Sequence, residues 1–101
     1  MMCLLTHRTL KPGAWEGFRQ AWEPEEFPPG FLRAYHLRSL EDPDQVVSFG
    51  LFAGSRADFE AVRRDPGMAD AQERRTAAMA PFVASVGVDG AFEVVDEVTP
   101  D

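Results

Sequence analysis

The side chains that could do chemistry in this sequence lie mostly in segments that alternate like β-strands. His36 can act as a base near neutral pH, because the ordinary pKa of an imidazole is about 6.5. Arg8 and Arg38 could balance the charge of an anion, and Tyr35 could donate a hydrogen bond. In an extended strand His36 and Arg38 share one face, and Tyr35 points to the other. The set indicates acid–base chemistry on an ionisable ligand, or a His36 that is hydrogen-bonded at a subunit interface.

Metal and thiol chemistry have little support in the sequence. The two histidines, His7 and His36, and the scattered carboxylates form no pair of ligands with i, i+4 spacing on a helix. The single cysteine, Cys3, lies in an apolar segment without basic neighbours, which is typical of a buried and unreactive thiol. We therefore predict no metal site and no cofactor. Which of the two histidines faces a ligand is left open.

Length and charge exclude several classes of partner. At 101 residues the chain has room for one domain, residues 1–101. Seventeen acidic and ten basic residues give a net charge of -7, which repels nucleic acid and anionic membrane surfaces. The sequence has neither the pattern of a signal peptide nor an apolar segment long enough to cross a bilayer. We expect a cytoplasmic protein that binds no nucleic acid and no membrane.

The order of the hydrophobic patterns predicts the elements that position these side chains. Alternation predicts strands at residues 3–10, 31–39 and 46–53, and a last strand after Gly90 that runs through Phe92, Val94 and Val98. Helical spacing predicts one helix through residues 14–22, with Pro12 in its first turn, and a second that begins with a Ser55–Asp58 capping box and resumes near Met68 after Pro66-Gly67. The order βαββαβ predicts an α+β, ferredoxin-like sandwich with a four-stranded antiparallel sheet and its helices on one face.

The predicted strands carry apolar side chains on both faces. In the second strand Tyr35 and Leu37 oppose Leu32 and Ala34, and the third strand shows the same mixture. Helices on one side of a sheet can cover only one of these faces, whereas the other should be polar if it meets water. A second copy of the sheet, packed face to face, is the simplest cover. We therefore predict a homodimer through the sheet face, a dimeric α/β barrel.

With these elements in place, the chain resembles the antibiotic biosynthesis monooxygenase family over residues 3–98. Turns and helix caps carry the resemblance, at segments 11–13, 29–32, 37–44 and 54–61. The resemblance implies a dimeric α/β barrel with a ligand cavity in each subunit between the sheet and the helices.

The resemblance also implies a choice of activities. Some members of the family oxidise aromatic polyketide anthrones to quinones without a metal or prosthetic group, and relatives degrade haem. Members with known chemistry often carry a tryptophan where this chain places Ala53, with Phe52 beside it. Haem degraders use an asparagine and a histidine that match Thr6 and the neighbourhood of Met68. Haem oxygenation is therefore not expected.

We predict a cofactor-independent monooxygenase that acts on a small aromatic or polyketide-like compound. His36 is the predicted base, and the arginines and Tyr35 would stabilise a phenolate. The predicted substrate-binding residues are Thr6, Arg8, Tyr35, Arg38, Phe49, Phe52, Met68 and Met79. Ordinary structural roles stay open for several of them, because the arginines could form ion pairs and the methionines could fill gaps in the core. The alternative function is a non-catalytic dimer that binds a small ligand.

Overall fold

Four strands form a single antiparallel sheet with the helices on one face. The computed structural model describes residues 1–100. In chain order its elements are β1 (Met2–Leu10), α1 (Trp15–Trp22), β2 (Phe31–Arg38), β3 (Gln45–Phe52), α2 (Arg56–Arg64), α3 (Pro66–Met79), a 3-10 turn (Ala80–Phe82) and β4 (Val83–Glu93). The strand order across the sheet is β2-β3-β1-β4, and each pair of neighbours is antiparallel. The predicted ferredoxin-like fold is confirmed.

The start of the last strand was predicted wrongly. β4 begins at Val83, pairs with Leu10, and continues to Glu93, which pairs with Met2. Gly87 and Gly90 therefore lie inside β4, whereas the sequence analysis places both glycines in a turn before the strand. A Cβ at residue 87 would lie 2.5 Å from Nδ1 of His7, so glycine there permits the close approach of β1. Residues 94–98, predicted to continue this strand, lie outside it.

Helix starts depend on local capping in this chain. Ser55 and Asp58 form the predicted capping box, in which each side chain accepts a hydrogen bond from the other residue's backbone N–H at 3.2 Å. The side chain of Asp65 accepts from the backbone N–H of Met68, so α3 begins at Pro66 rather than near Met68. Pro12 lies in the turn before α1 and not in its first turn, because Gly13 next to it takes a left-handed conformation with φ of 71°.

The hydrophobic core is divided into two clusters at the two ends of β1. At one end Leu10 packs with three other buried side chains, those of Phe18, Val46 and Met79. At the other end Met2 packs with Phe52 and Phe59. Between these ends most helix-facing positions of β1 and β3 hold polar or small residues: Thr6 pairs with Ser48, and Gly50 lies opposite Leu4, which packs against the second cluster. Such residues cannot fill the space under the helices.

The opposite face of the sheet is apolar and uncovered in the single chain. Its exposed side chains include Tyr35 (46% exposed), Leu37 (49%) and Phe92 (48%). Leu5 and Phe49 lie beside them on the same face and are half-buried. The second apolar face predicted from strand alternation is therefore present in the structure.

A substitution at Gly17 tests how closely α1 packs against the 3-10 turn that precedes β4. A Cβ at residue 17 would overlap the ring of Phe82. Alanine is the better helix former by about 1 kcal/mol, but overpacking typically costs about 1–3 kcal/mol. Gly17→Ala should therefore lower the free energy of unfolding in urea by about 1 kcal/mol. In a Phe82→Leu background this loss should shrink or reverse, and an undiminished loss would show that Phe82 does not exclude the side chain.

Candidate functional site

A cavity of about 780 Å³ lies between the helix-facing side of the sheet and α3. It occupies the gap between the two core clusters, under Thr6 and Arg8 of β1 and Ser48 and Gly50 of β3. Its other walls come from β4, the three helices and the loop at residues 24–29. Cavities of roughly 300–1,000 Å³ are typical of small-molecule sites. The space is therefore large enough for an aromatic ligand of two or three rings.

Six of the eight predicted substrate-binding residues line this cavity, namely Thr6, Arg8, Phe49, Phe52, Met68 and Met79. Phe49 borders it although its ring packs against Tyr35, with 5.3 Å between the ring centroids. Tyr35 itself lies on the opposite face of the sheet, outside the cavity. Arg38 also lies outside, with its guanidinium 5.1 Å from the ring centroid of Trp15. Tyr35 is outside the cavity because alternate residues of a strand point to opposite faces of the sheet. Arg38 is outside because it lies at the end of β2.

His36 lies beside the cavity rather than in its lining. Three aromatic rings of α1 enclose the imidazole, those of Trp15, Phe18 and Trp22, with centroids 5.6, 6.1 and 4.5 Å away. A separate pocket of about 210 Å³ borders its ring. Its Nδ1 is hydrogen-bonded to the Oγ of Ser48 at 2.7 Å, and Ser48 lines the larger cavity. The Ser48 hydroxyl is thus the link between His36 and the cavity.

The environment of His36 keeps its ring uncharged. Burial, together with the positive charges of Arg19 and Arg8, lowers the pKa of His36 to about 4, and the charge of Glu23 acts in the opposite direction. The Nε2 atom is buried without a hydrogen-bond partner. At neutral pH His36 is therefore a neutral imidazole that can accept a proton but binds it weakly.

Arg8 brings a positive charge to the cavity wall without a direct counter-ion. Among residues 1–100 no carboxylate oxygen lies within 4.0 Å of its guanidinium. Its Nη1 is buried and unpaired, and the guanidinium lies 5.3 Å from the centroid of the Phe18 ring. Burial lowers the pKa of Arg8, and the more distant charge of Asp89 partly offsets this effect. Asp89 also lines the cavity, where it accepts a hydrogen bond of 2.9 Å from the Thr6 hydroxyl.

Arg75 of α3 is a cavity residue that the sequence analysis missed. Its Nη1 donates to the backbone oxygen of Trp22 at 3.2 Å, and its Nη2 donates to Oε1 of Gln72 at 2.7 Å. Its Nε is buried without a partner. Burial lowers the pKa of Arg75, and the charge of Arg8 lowers it further. The sequence did hold a signal, because Arg75 lies midway between Ala71 and Met79 on the inward stripe of α3, at i, i+4 spacing.

Neither a metal-binding cluster nor a membrane-spanning helix is found in the part of the chain that the structure covers. Residues 1–100 contain no group of three or more histidine, cysteine or acidic side chains that could hold a metal ion. Within the same residues, no helix has the length and apolar character needed to cross a membrane.

Comparison with known proteins gives a clear result for the fold. No family model matches the sequence, and a search of curated proteins finds no match. Solved structures do match: a proposed antibiotic biosynthesis monooxygenase from Chloroflexus aurantiacus J-10-fl has a TM-score of 0.68 at 18% identity, covering 97% of this chain and 96% of that one. Another from Nitrosomonas europaea has a TM-score of 0.66 at 19% identity, covering 95% and 100%.

A third similar structure comes from a protein whose chemistry is named. A variant of SnoaB, a cofactor-independent oxygenase from Streptomyces nogalater, has a TM-score of 0.69 at 16% identity, covering 99% of this chain and 97% of that one. The predicted resemblance to antibiotic biosynthesis monooxygenases is thus confirmed over nearly the whole chain, as a likeness of fold.

The neutral state of His36 should make stability depend on pH. The folded-state pKa is about 4, whereas an imidazole in an unfolded chain has a pKa of about 6.5. Between pH 4 and pH 6.5 the unfolded state binds more protons than the folded state, so acid favours unfolding. The contribution of the neutral His36 to the free energy of unfolding is therefore complete above pH 6.5 and is lost as the pH falls toward 4. After allowance for partial solvent exposure, the loss is on the order of 2 kcal/mol.

Urea unfolding between about pH 5 and pH 7 measures this effect. The wild-type protein should lose stability as the pH falls through this range, and His36→Gln should flatten the dependence. His7→Gln, which removes the other imidazole, should retain it. An unchanged pH dependence in His36→Gln would contradict the assignment.

Proposed function

We propose that this protein is a cofactor-independent monooxygenase that binds a small aromatic substrate in the cavity between sheet and helices. The observation that carries the proposal is the Arg8 guanidinium, which faces a largely apolar cavity and has no direct counter-ion. A cofactor-free oxygenase must make and stabilise an electron-rich anion of its substrate, and a guanidinium in a water-poor site would do so. The fold shared with a named cofactor-independent oxygenase supports the same function.

The proposed reaction needs one base and one anion-stabilising group. Ser48 would take a proton from the substrate as its hydroxyl proton passes to His36, since the two side chains are hydrogen-bonded. Arg8 would hold the resulting phenolate or enolate. That anion would then reduce O2, so that a CH2 group and O2 become a C=O group and H2O with the substrate as the only reductant. Thr6 and Asp89, on the same wall, would orient the reacting oxygen.

Incubation with a panel of anthrones, in air and under argon, tests this proposal. We expect an oxygen-dependent quinone product. Loss of a general base typically costs about 10²–10⁴-fold, so His36→Gln and Ser48→Ala should each lower kcat/KM by about that factor. His7→Gln, on the other face of the sheet, should leave kcat/KM unchanged. No oxygen-dependent product from any anthrone would contradict the proposal.

A second candidate function is ligand binding without turnover. The position of His36 favours it, because this base touches the cavity only through Ser48 and is enclosed by aromatic rings. A non-catalytic protein would show a ligand-dependent rise in Tm without oxygen consumption. The anthrone panel therefore separates the two functions when the melting temperature is recorded alongside oxygen uptake.

We also propose that the protein forms a homodimer through the open face of the sheet. Tyr35, Leu37 and Phe92 are about half exposed on this face, and a second copy would remove them from water. Such a contact places the two sheets back to back and leaves each cavity on the outer, helix-covered side. It also accounts for apolar residues at strand positions that would otherwise be polar.

Leu37→Glu tests the dimer by placing a charge in the middle of the proposed contact. Light scattering should give twice the subunit mass for the wild type and the mass of one subunit for Leu37→Glu, because a buried unpaired carboxylate is costly. Leu40→Glu is the matched control, since Leu40 lies in the loop after β2 and is fully exposed. A wild-type protein with the mass of one subunit would contradict the dimer.

A further inference from the structure

Two arginines from facing elements line the cavity without acidic partners. Arg8 comes from β1 and Arg75 from α3, and each has a buried nitrogen with no hydrogen bond, Nη1 of Arg8 and Nε of Arg75. Within residues 1–100 no carboxylate oxygen lies within 4.0 Å of either guanidinium. The arginines are therefore close to the space for a ligand and free of direct counter-ions.

Four other arginines of the same chain are paired at the surface. Arg19, Arg56, Arg64 and Arg74 each lie within 3.5 Å of a glutamate oxygen. The chain also has seventeen acidic residues, so counter-ions are abundant. Arg33, Arg38 and Arg63 also form no ion pair within residues 1–100, but all three are exposed to water. Arg8 and Arg75 differ from them because they are half-buried.

Placing two guanidiniums without acidic partners in a partly desolvated space is unfavourable. Each loses hydration, and the charge of Arg8 acts against that of Arg75. Three acidic side chains also line the cavity, those of Glu25, Glu26 and Asp89. Glu25 and Glu26 are exposed, and Glu25 is paired with Arg74. Asp89 lies more than 4.0 Å from Arg8 and is hydrogen-bonded to Thr6. A neutral ligand would leave both half-buried guanidiniums without a direct counter-ion. A ligand with a permanent negative charge would supply one.

We propose that the ligand is an aromatic carboxylic acid whose ionised carboxylate binds between Arg8 and Arg75. The planar carboxylate fits the geometry of guanidinium donors. The apolar walls made by Phe52, Phe59 and Met79 suit the ring system, and the volume of about 780 Å³ accommodates both parts. This substrate class deepens the proposed function, because it rests on the same cavity as the ligand site.

Binding of 2-naphthoate and its neutral analogue 2-naphthamide, measured by calorimetry on the full chain, tests the proposal. Wild-type protein should bind the carboxylate at least about tenfold more tightly than the amide, as expected for charge-assisted hydrogen bonds. Arg8→Gln and Arg75→Gln should each remove most of that preference while leaving amide affinity nearly unchanged. Arg64→Gln, which removes an exposed arginine outside the cavity, should preserve it.

The charge-retaining variants Arg8→Lys and Arg75→Lys keep the test decisive if a glutamine variant fails to fold. They should show an intermediate preference, because lysine keeps the charge and loses the planar donor fork. Equal affinity of the wild type for carboxylate and amide would overturn the proposal, as would an equal loss of preference in Arg64→Gln. Competition by inorganic phosphate as effective as 2-naphthoate would overturn the assignment of an aromatic acid.

The result is independent of the oxygenase test. Preferential carboxylate binding without oxidation of any anthrone would refute the proposed monooxygenase and support the aromatic-acid ligand. Anthrone oxidation without a preference for carboxylate over amide would do the reverse.

Discussion

The division of the hydrophobic core determines where a ligand can bind in this protein. Large apolar side chains close the sandwich at both ends of β1, with Met2 and Phe52 at one end and Leu10 and Phe18 at the other. Between them most helix-facing strand positions carry hydroxyls, glycine or a guanidinium, which leave a cavity. Because protein interiors are otherwise close-packed, this largely apolar gap with a few polar groups in its wall is the space in which we propose that a ligand binds.

Charge is distributed unevenly between the surface and this cavity. The chain has a net charge of -7, and four of its arginines pair with glutamates at the surface. The half-buried Arg8 and Arg75 line the cavity, and within residues 1–100 no carboxylate oxygen lies within 4.0 Å of either guanidinium. Two half-buried guanidiniums in an acidic protein attract an anion only at short range, since electrostatic interactions in salt solution are screened over about 10 Å. Recognition should therefore depend on contacts inside the site and little on long-range attraction.

The sequence predicted the fold well, and the site in part. Element order gave the βαββαβ topology, and strand alternation placed Thr6 and Arg8 on one face of β1, where the cavity lies. Alternation could not show that the aromatic side chains of α1 would enclose His36, because that contact depends on where the helix packs. Asp89 and Arg75 were missed for different reasons: the glycines around Asp89 resembled a turn, and a single arginine on an apolar helix stripe is a weak signal.

A crystal structure of the protein with 2-naphthoate would test the central claim most directly. The account predicts the ring system between the two core clusters and the carboxylate within hydrogen-bonding distance, about 2.7–2.9 Å, of both Arg8 and Arg75. A carboxylate bound away from both guanidiniums, or a cavity closed by the side chains of Phe52 and Phe59, would contradict it.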